Sequence, residues 1–323
     1  MNVIFRPLGD SDYDALADLF NEASIVDHRA QQQVGKEIRE DFESLPISLA
    51  SDTLAAWDGE QLVGAVYSYH LPSEVREERC YVMGTVRPAW RGRGIGRQLM
   101  EWGLARAEAV LAASAVQIPK FIRVEVAEAN ESTKRLLTRA GLQPIRYFAD
   151  LHRPLHDVPS PTATTTTTGV RIVPWELARN EEARIVKNEI FQDHWGSTPM
   201  TPEWWESWTL GFGARIDLSF FAINDHDEIV AYLLTHRFSN DDELLGAKYA
   251  WIHNIGTLKA WRGRGIASGL ITTALRAYAA AELDMAALNV DSDSPTGAYR
   301  VYEALEFRRW RSFVTFQREV SRS

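Results

Sequence analysis

Seven consecutive residues, AWRGRGI, occur twice in this chain, beginning at Ala89 and again at Ala260, 171 residues apart. That spacing is the size of a domain and several times the period of a solenoid repeat. The flanking windows agree: residues 84–95 read GTVRPAWRGRGI and residues 256–266 read GTLKAWRGRGI. A length of 323 residues is long for one hydrophobic core and suits two. The chain therefore reads as two copies of one domain.

The residues around each copy fall into the same order of elements. In the first half, VIFRPL reads as a strand and DYDALADLFNEA as an amphipathic helix. TLAAWD and QLVGAVYSYHL form a hairpin about Asp58-Gly59, followed by the strand CYVMGTV. GRQLMEWGLARAEAVL is a helix, FIRVEVA a strand, NESTKRLLTRAGL a capped helix and PIRYFADLH a closing strand. The second half repeats the sequence of elements from VRIVPWE to a closing RSFVTFQREV. Between them HDVPSPTATTTTTG is rich in Pro and Thr and cannot build a core. The expectation is an α/β protein of two domains, residues 1–155 and 170–323, joined by a linker over 156–169.

In both copies a strand runs into a Gly-rich turn that opens a helix. The spacings are Arg91-x-x-Gly94-x-Gly96 and Arg262-x-x-Gly265-x-Ala267. The first N–H groups of a helix lack intrahelical partners, and the helix dipole adds partial positive charge there. Small residues let an anion approach that backbone, so a pyrophosphate fits, with Arg91, Arg93, Arg262 and Arg264 as added charged donors. No Gly-Lys-Ser/Thr follows, which excludes the Walker pattern, and the turns come too late in each half for a dinucleotide fingerprint.

R-x-x-G-x-G/A between the fourth strand and the next helix resembles the coenzyme A signature of the GNAT acetyltransferase superfamily. The resemblance covers most of both halves, and the tandem layout is similar to that of actinobacterial mycothiol synthases and related antibiotic acetyltransferases. It implies in each half a mostly antiparallel sheet with a splayed central strand pair flanked by helices. It also implies acetyl-CoA as cofactor. The cradles would be Arg91, Gly92, Arg93, Gly94, Ile95 and Gly96, and Arg262, Gly263, Arg264, Gly265, Ile266, Ala267 and Ser268. Met83 and Thr85, and Ile255 and Thr257, would line the pantetheine arm from the preceding strands.

The family's downstream helix carries a Tyr that faces the departing sulfur. Tyr302 stands at that position in SPTGAYRVYEALEF, with Ser294 and Pro295 where the family has Asn and Glu306 where it has Gly. A phenol of pKa ~10 can protonate a thiolate whose parent thiol lies near ~8.5. The first half keeps Asn130, but Leu137 stands in place of the Tyr, and a leucine has no proton to give. Catalysis is therefore expected in the second half, with the first a cofactor-binding or structural copy.

An attacking amine must first lose a proton, since an alkylammonium has pKa ~10.4. His253, on the strand before the second cradle, is the first candidate base by position; Asp291, Glu189, Asp193 and His194 are others. The segment 191–212, FQDHWGSTPMTPEWWESWTLGF, holds four tryptophans in the region where the family varies its acceptor site. His194, Trp195 and Trp205 of this segment, with Asp291 at the end of a later strand, are the expected acceptor contacts, although the indoles could equally pack the two domains together.

The net charge of −9 lacks the basic face a nucleic-acid binder needs. No apolar run reaches the ~20 residues of a membrane span, and the acidic start does not resemble a signal peptide. A single cysteine, Cys80, excludes a disulfide framework. A cytoplasmic monomer or homodimer acetylating a small-molecule amine is the leading expectation. A protein or peptide acetyltransferase and a non-catalytic acyl-CoA sensor are the alternatives.

Overall fold

A computed structural model describes residues 3–27, 29, 31–158, 169–192, 194–292 and 298–320. The first half runs β1 (Val3–Arg6), α1 (Tyr13–Val26), α2 (Gly35–Ser44), α3 (Leu49–Asp52), β2 (Thr53–Asp58), β3 (Gln61–Leu71), β4 (Glu78–Val86), α4 (Ile95–Ala113), β5 (Lys120–Ala127), α5 (Glu131–Arg139) and β6 (Gln143–Pro154). The second half runs β7 (Val170–Pro174), α6 (Asn180–Ile190), α7 (Pro202–Leu210), β8 (Phe220–Asn224), β9 (Ile229–His236), α8 (Asp242–Leu245), β10 (Tyr249–Thr257), α9 (Ile266–Ala280), β11 (Met285–Asp291), α10 (Ala298–Ala304) and β12 (Arg308–Glu319). Periodicity accounts for the main elements: α4 buries Ile95, Leu99, Leu104, Ala107 and Leu111 on one stripe. The β2–β3 hairpin turns at Gly59, whose φ of +59° suits a residue without Cβ.

Two compact units result, and they are not the two sequence halves. Unit 1 comprises residues 1–147 and 312–323; unit 2 comprises 148–311. In unit 1 the strand order is β1-β2-β3-β4-β5-β12, and β12 pairs antiparallel with β5 from Phe313↔Ala127 to Glu319↔Phe121. In unit 2 the order is β6-β11-β10-β9-β8-β7, and β6 pairs antiparallel with β11 from Phe148↔Asp291 to Pro154↔Met285. Each half thus gives its closing strand to the other unit. Periodicity identifies a strand and its buried face but not the neighbour it pairs with, so the exchange lies beyond a division at 155 and 170. Most of the expected linker, residues 159–168, lies outside the described residues.

Both sheets are mostly antiparallel with one parallel central pair, and that pair opens. β4 and β5 pair only from Glu78↔Lys120 to Tyr81↔Arg123, while β4 continues to Val86. β10 and β11 pair only from Tyr249↔Met285 to Ile252↔Leu288, while β10 continues to Thr257. Helices cover both faces. In unit 1, Leu16, Leu19, Ile38 and Phe42 pack on one side, and Leu99, Leu104 and Leu137 on the other. In unit 2, Trp175, Val186 and Trp205 face Leu270, Tyr278 and Tyr302 across the sheet. Among the described residues no helix is long and apolar enough to cross a membrane.

Candidate active site

The two Gly-rich turns repeat each other closely in backbone conformation. In each, a single 3-10 turn (Pro88–Trp90, Lys259–Trp261) leads into an extended Arg, at φ −67° for Arg91 and −68° for Arg262. Gly92 and Gly94 have φ of +76° and +86°; Gly263 and Gly265 have +74° and +77°. Both second glycines are helix N-caps without a side-chain capping bond. The first helical bonds follow at Gln98 N→Gly94 O (3.2 Å) and Gly269 N→Gly265 O (3.0 Å), so the preceding amides are the helices' unpaired donors. A Cβ built at any of the four glycines would meet nothing within 4 Å. Open space over a helix N-terminus is what a pyrophosphate requires, and both turns provide it.

The arginines have intramolecular partners. Arg91 Nε donates to Val86 O and Arg262 Nε to Thr257 O, each at 3.0 Å, bracing the turn against the end of its strand. Arg93 and Arg264 lie over Trp90 and Trp261, each 4.7 Å from the ring centre. Here the units diverge. Arg91 forms a bidentate pair with Asp27, both bonds 2.8 Å, and Asn130 Nδ2 donates to the same carboxylate at 3.2 Å. Arg262 instead reaches the Ile190 carbonyl at 3.1 Å.

A cavity of about 680 Å³ in unit 1 joins the first cradle to the opened strands. Met83, Thr85, Gly92, Gly94 and Gly96 line it, together with Val124–Ala127 of β5 and Asp27 and Asn130 at its rim. It is large enough for a cofactor of the size such sites hold. Cys80 is buried in unit 1, and burial pushes its thiol up to about 12, which leaves it unreactive.

Tyr302 and Leu137 occupy matching positions. Leu142 N donates to Leu137 O at 3.1 Å, and Phe307 N donates to Tyr302 O at 3.0 Å, so each begins the same return from helix to strand. Leu137 is wholly buried. Tyr302 is buried in the unit 2 core, packs edge-to-face on Phe307, and burial pushes its phenol up to about 12. It therefore stays protonated across the working range. Between the two, Gly141 has φ +81° in unit 1, whereas Glu306 holds +67° in unit 2 with its carboxylate 2.9 Å from Arg153.

His253 is the extra residue of a β-bulge. Trp251 pairs with His236 and Ile252 with Thr235, but Asn254 pairs with Leu234. The bulge falls one residue after β10 leaves β11. His253 keeps an exposed portion while its ring packs on His236 and Trp208, whose crowding, with the second imidazole, holds its pKa well below the ordinary value. Beyond the bulge α6 presses on β10: a Cβ at Gly256 would stand 2.6 Å from Ile190.

An acetyltransferase (GNAT) family model matches the chain twice, over residues 14–142 and 181–307. The chain belongs to the GNAT acetyltransferase family. It is accordingly an N-acetyltransferase, and GNAT enzymes generally use acetyl-CoA. A mycothiol acetyltransferase from Thermobispora bispora is 28% identical over 274 residues, covering 82% of this chain and 83% of that protein. A GCN5-related N-acetyltransferase from Sphaerobacter thermophilus superposes with a TM-score of 0.75 at 22% identity, over 98% of this chain and 96% of that one. A tandem GNAT protein from the clavulanic acid biosynthesis pathway also reaches 0.75, at 17% identity, over the full length of both chains.

Within this GNAT frame the expected acceptor residues separate. Trp205 is 1% exposed, its indole N–H bonded to Asn180 O at 2.9 Å, which makes it a core residue with no face left for a ligand. Trp208, one helical turn on, meets the His253 ring edge-on at 4.4 Å. His194 and Trp195 are half-buried, against Phe191 and Phe148 respectively, and Asp291 is buried at the end of β11. Glu189 is exposed on α6. Asp193, Ser294 and Pro295 lie outside the described residues. Sequence reasoning passed over Asp27, His236 and Asp150. Asp150 comes from β6 and bonds Asn289 (2.7 Å) and Arg311 on the sheet of unit 2. His236 had a signal: it shares the period of Tyr232 and Leu234 along β9, the face that packs under α6 and α7.

Proposed function

We propose that this GNAT enzyme transfers an acetyl group from acetyl-CoA to a primary amine of a small molecule, with the reaction carried by unit 2. The acceptor class is an antibiotic, amino sugar, polyamine or mycothiol precursor; the similarity to a mycothiol acetyltransferase supports this range. Acetyl-CoA, when bound, supplies an acyl group already activated as a thioester. The amides from Gly263 to Ser268 would bind its phosphates at the start of α9, and the β10 edge at Ile255 and Thr257 would face its pantetheine arm. His253 would take one proton from the acceptor ammonium; the freed amine would form the C–N bond as the C–S bond breaks, with Tyr302 Oη giving its proton to the departing sulfur and recovering one from the new amide nitrogen. His194, Trp195 and Asp291 are the remaining acceptor-side residues, with Trp208 in the role first expected of Trp205.

The observation that carries this reading is that Tyr302 and Leu137 stand at one backbone position after two Gly-rich turns of the same conformation. Unit 1, with its cavity and with Leu137 at the position of Tyr302, fits a site that holds acetyl-CoA without turning it over, which is the sensor reading restricted to one unit. The test is thiol release from acetyl-CoA across a panel of aminoglycosides, polyamines, a mycothiol precursor and short peptides. Tyr302→Phe should lower turnover about 100-fold or more, the scale of a lost general acid, with acetyl-CoA binding intact. Turnover unchanged in that variant would remove Tyr302 as the acid, and turnover with peptides alone would move the enzyme to the protein-acetylating class.

A further inference from the structure

The histidine at the bulge does not stand alone. The imidazoles of His253 and His236 lie face to face, centroids 3.8 Å apart and planes 3° from parallel. Trp208 closes the side of His253 at 83°, and Phe238 stands edge-on to His236 at 6.0 Å. His236 is 5% exposed, with Nε2 2.7 Å from Trp208 O. A carbonyl only accepts, so Nε2 carries the hydrogen, and the tautomer is fixed. That carbonyl belongs to the last turn of α7, where helical C=O groups lack intrahelical partners. One ring thus ties the end of α7 to β9 and serves as the floor on which His253 rests.

We propose that His236 is a positioning residue for the acetyl transfer: it fixes the plane of the His253 ring at the point where β10 and β11 part, so that a constant lone pair meets the acceptor ammonium. This rests on the reading of His253 as the proton acceptor. Two imidazolium rings stacked this closely would repel strongly, so the pair holds at most one proton. His236 is buried and already bonded as the neutral tautomer, and its pKa is lowered to about 4 by that burial. The exposed member, His253, is therefore the one that exchanges protons. Trp208 and Phe238, the other rings packed against the pair, are uncharged. Alongside, Tyr232 donates its phenol to Asn254 Oδ1, holding the residue after the bulge.

The test follows the His253 ring by NMR titration in the full-length protein, assigned with His253→Gln, beside the pH profile of kcat/KM. His236→Phe keeps a flat ring but loses the bond to α7. His236→Gln keeps an N–H donor but loses the face, and guards against one variant failing to fold. In both, the loosened His253 ring gains access to water, which relieves the burial that lowers its pKa, and it should titrate higher by about one pH unit, a tenfold change in its protonation equilibrium. The acid limb of the profile should move by the same amount, and kcat should fall about tenfold with KM changed less than about twofold. A His253 titration unmoved in both variants would overturn the positioning role while leaving the base reading intact. Full turnover in His253→Gln would overturn the base reading, and the positioning role with it.

Discussion

The two Gly-rich turns match in dihedrals, bracing arginine and stacked tryptophan, yet the strands feeding them differ by one residue. β4 keeps an unbroken register with β3 from Gly64↔Val86 to Leu71↔Arg79. β10 carries a bulge, and the inserted residue is His253. At the last residue paired with the parallel neighbour, unit 1 sets Tyr81 opposite Tyr69 and unit 2 sets Ile252 opposite Thr235, with the bulge immediately after. On the helix beyond, unit 1 has Leu137 at the backbone position where unit 2 has Tyr302. Binding a phosphate asks only for backbone and open space, which both units retain. Moving protons asks for particular side chains at the split, which we propose are His253 and Tyr302 of unit 2. The lesson is that a repeated fold can share its anchor while its chemistry diverges over very few positions.

That division of labour can be broken most sharply at the N-cap glycines. Gly265→Val forces a β-branched residue into positive φ and covers the amides of α9. We expect acetyl-CoA stoichiometry by calorimetry to fall from two to one and turnover to drop about 100-fold, the rate cost of about 2.7 kcal/mol. Gly94→Val should lower stoichiometry equally and leave turnover within about twofold. Equal activity losses from both would mean that the units act as one site.

The paired helix positions should separate in stability rather than in cofactor binding. Leu137→Ala opens a void in the core of unit 1 and should cost about 2–5 kcal/mol in denaturant unfolding. Tyr302→Phe removes one oxygen and should change stability by about 1 kcal/mol or less. A large stability loss from Tyr302→Phe would point to a structural rather than chemical role for the phenol.

The smallest effect lies at the turn after each helix. Glu306→Gly relieves a left-handed residue, about 1 kcal/mol or more, and gives up an ion pair whose carboxylate is largely exposed. A net gain below about 1 kcal/mol in thermal unfolding is expected, with turnover unchanged. A loss would mean that Arg153, itself buried, depends on Glu306 more than on its backbone bonds to Leu305 and Pro154.

The cradles were legible because they are written locally: Gly spacing, an Arg, a strand before and a helix after. Leu137 against Tyr302 was legible for the same reason. The exchange of β6 and β12 was not, since alternation along PIRYFADLH fits any partner offering an apolar face. Nor does a bulge leave a mark in composition; YAWIHNIGT reads as one strand whether or not His253 is extra. Trp205 and Trp208 illustrate the same limit. Both sit on one short helix, and only the packing of α7 shows that Trp205 enters the core while Trp208 meets the histidine pair.

The closing strand of unit 1 has a consequence for how the chain is made. β5 ends at Ala127, but its partner in β12 begins to pair only at Phe313. At about 5–20 residues per second, a ribosome takes roughly 10–40 s to cover that stretch. During that time the β5 edge is open to unwanted pairing. Every residue of unit 2 leaves the ribosome before Ser312 does. The unit begun first is the unit completed last.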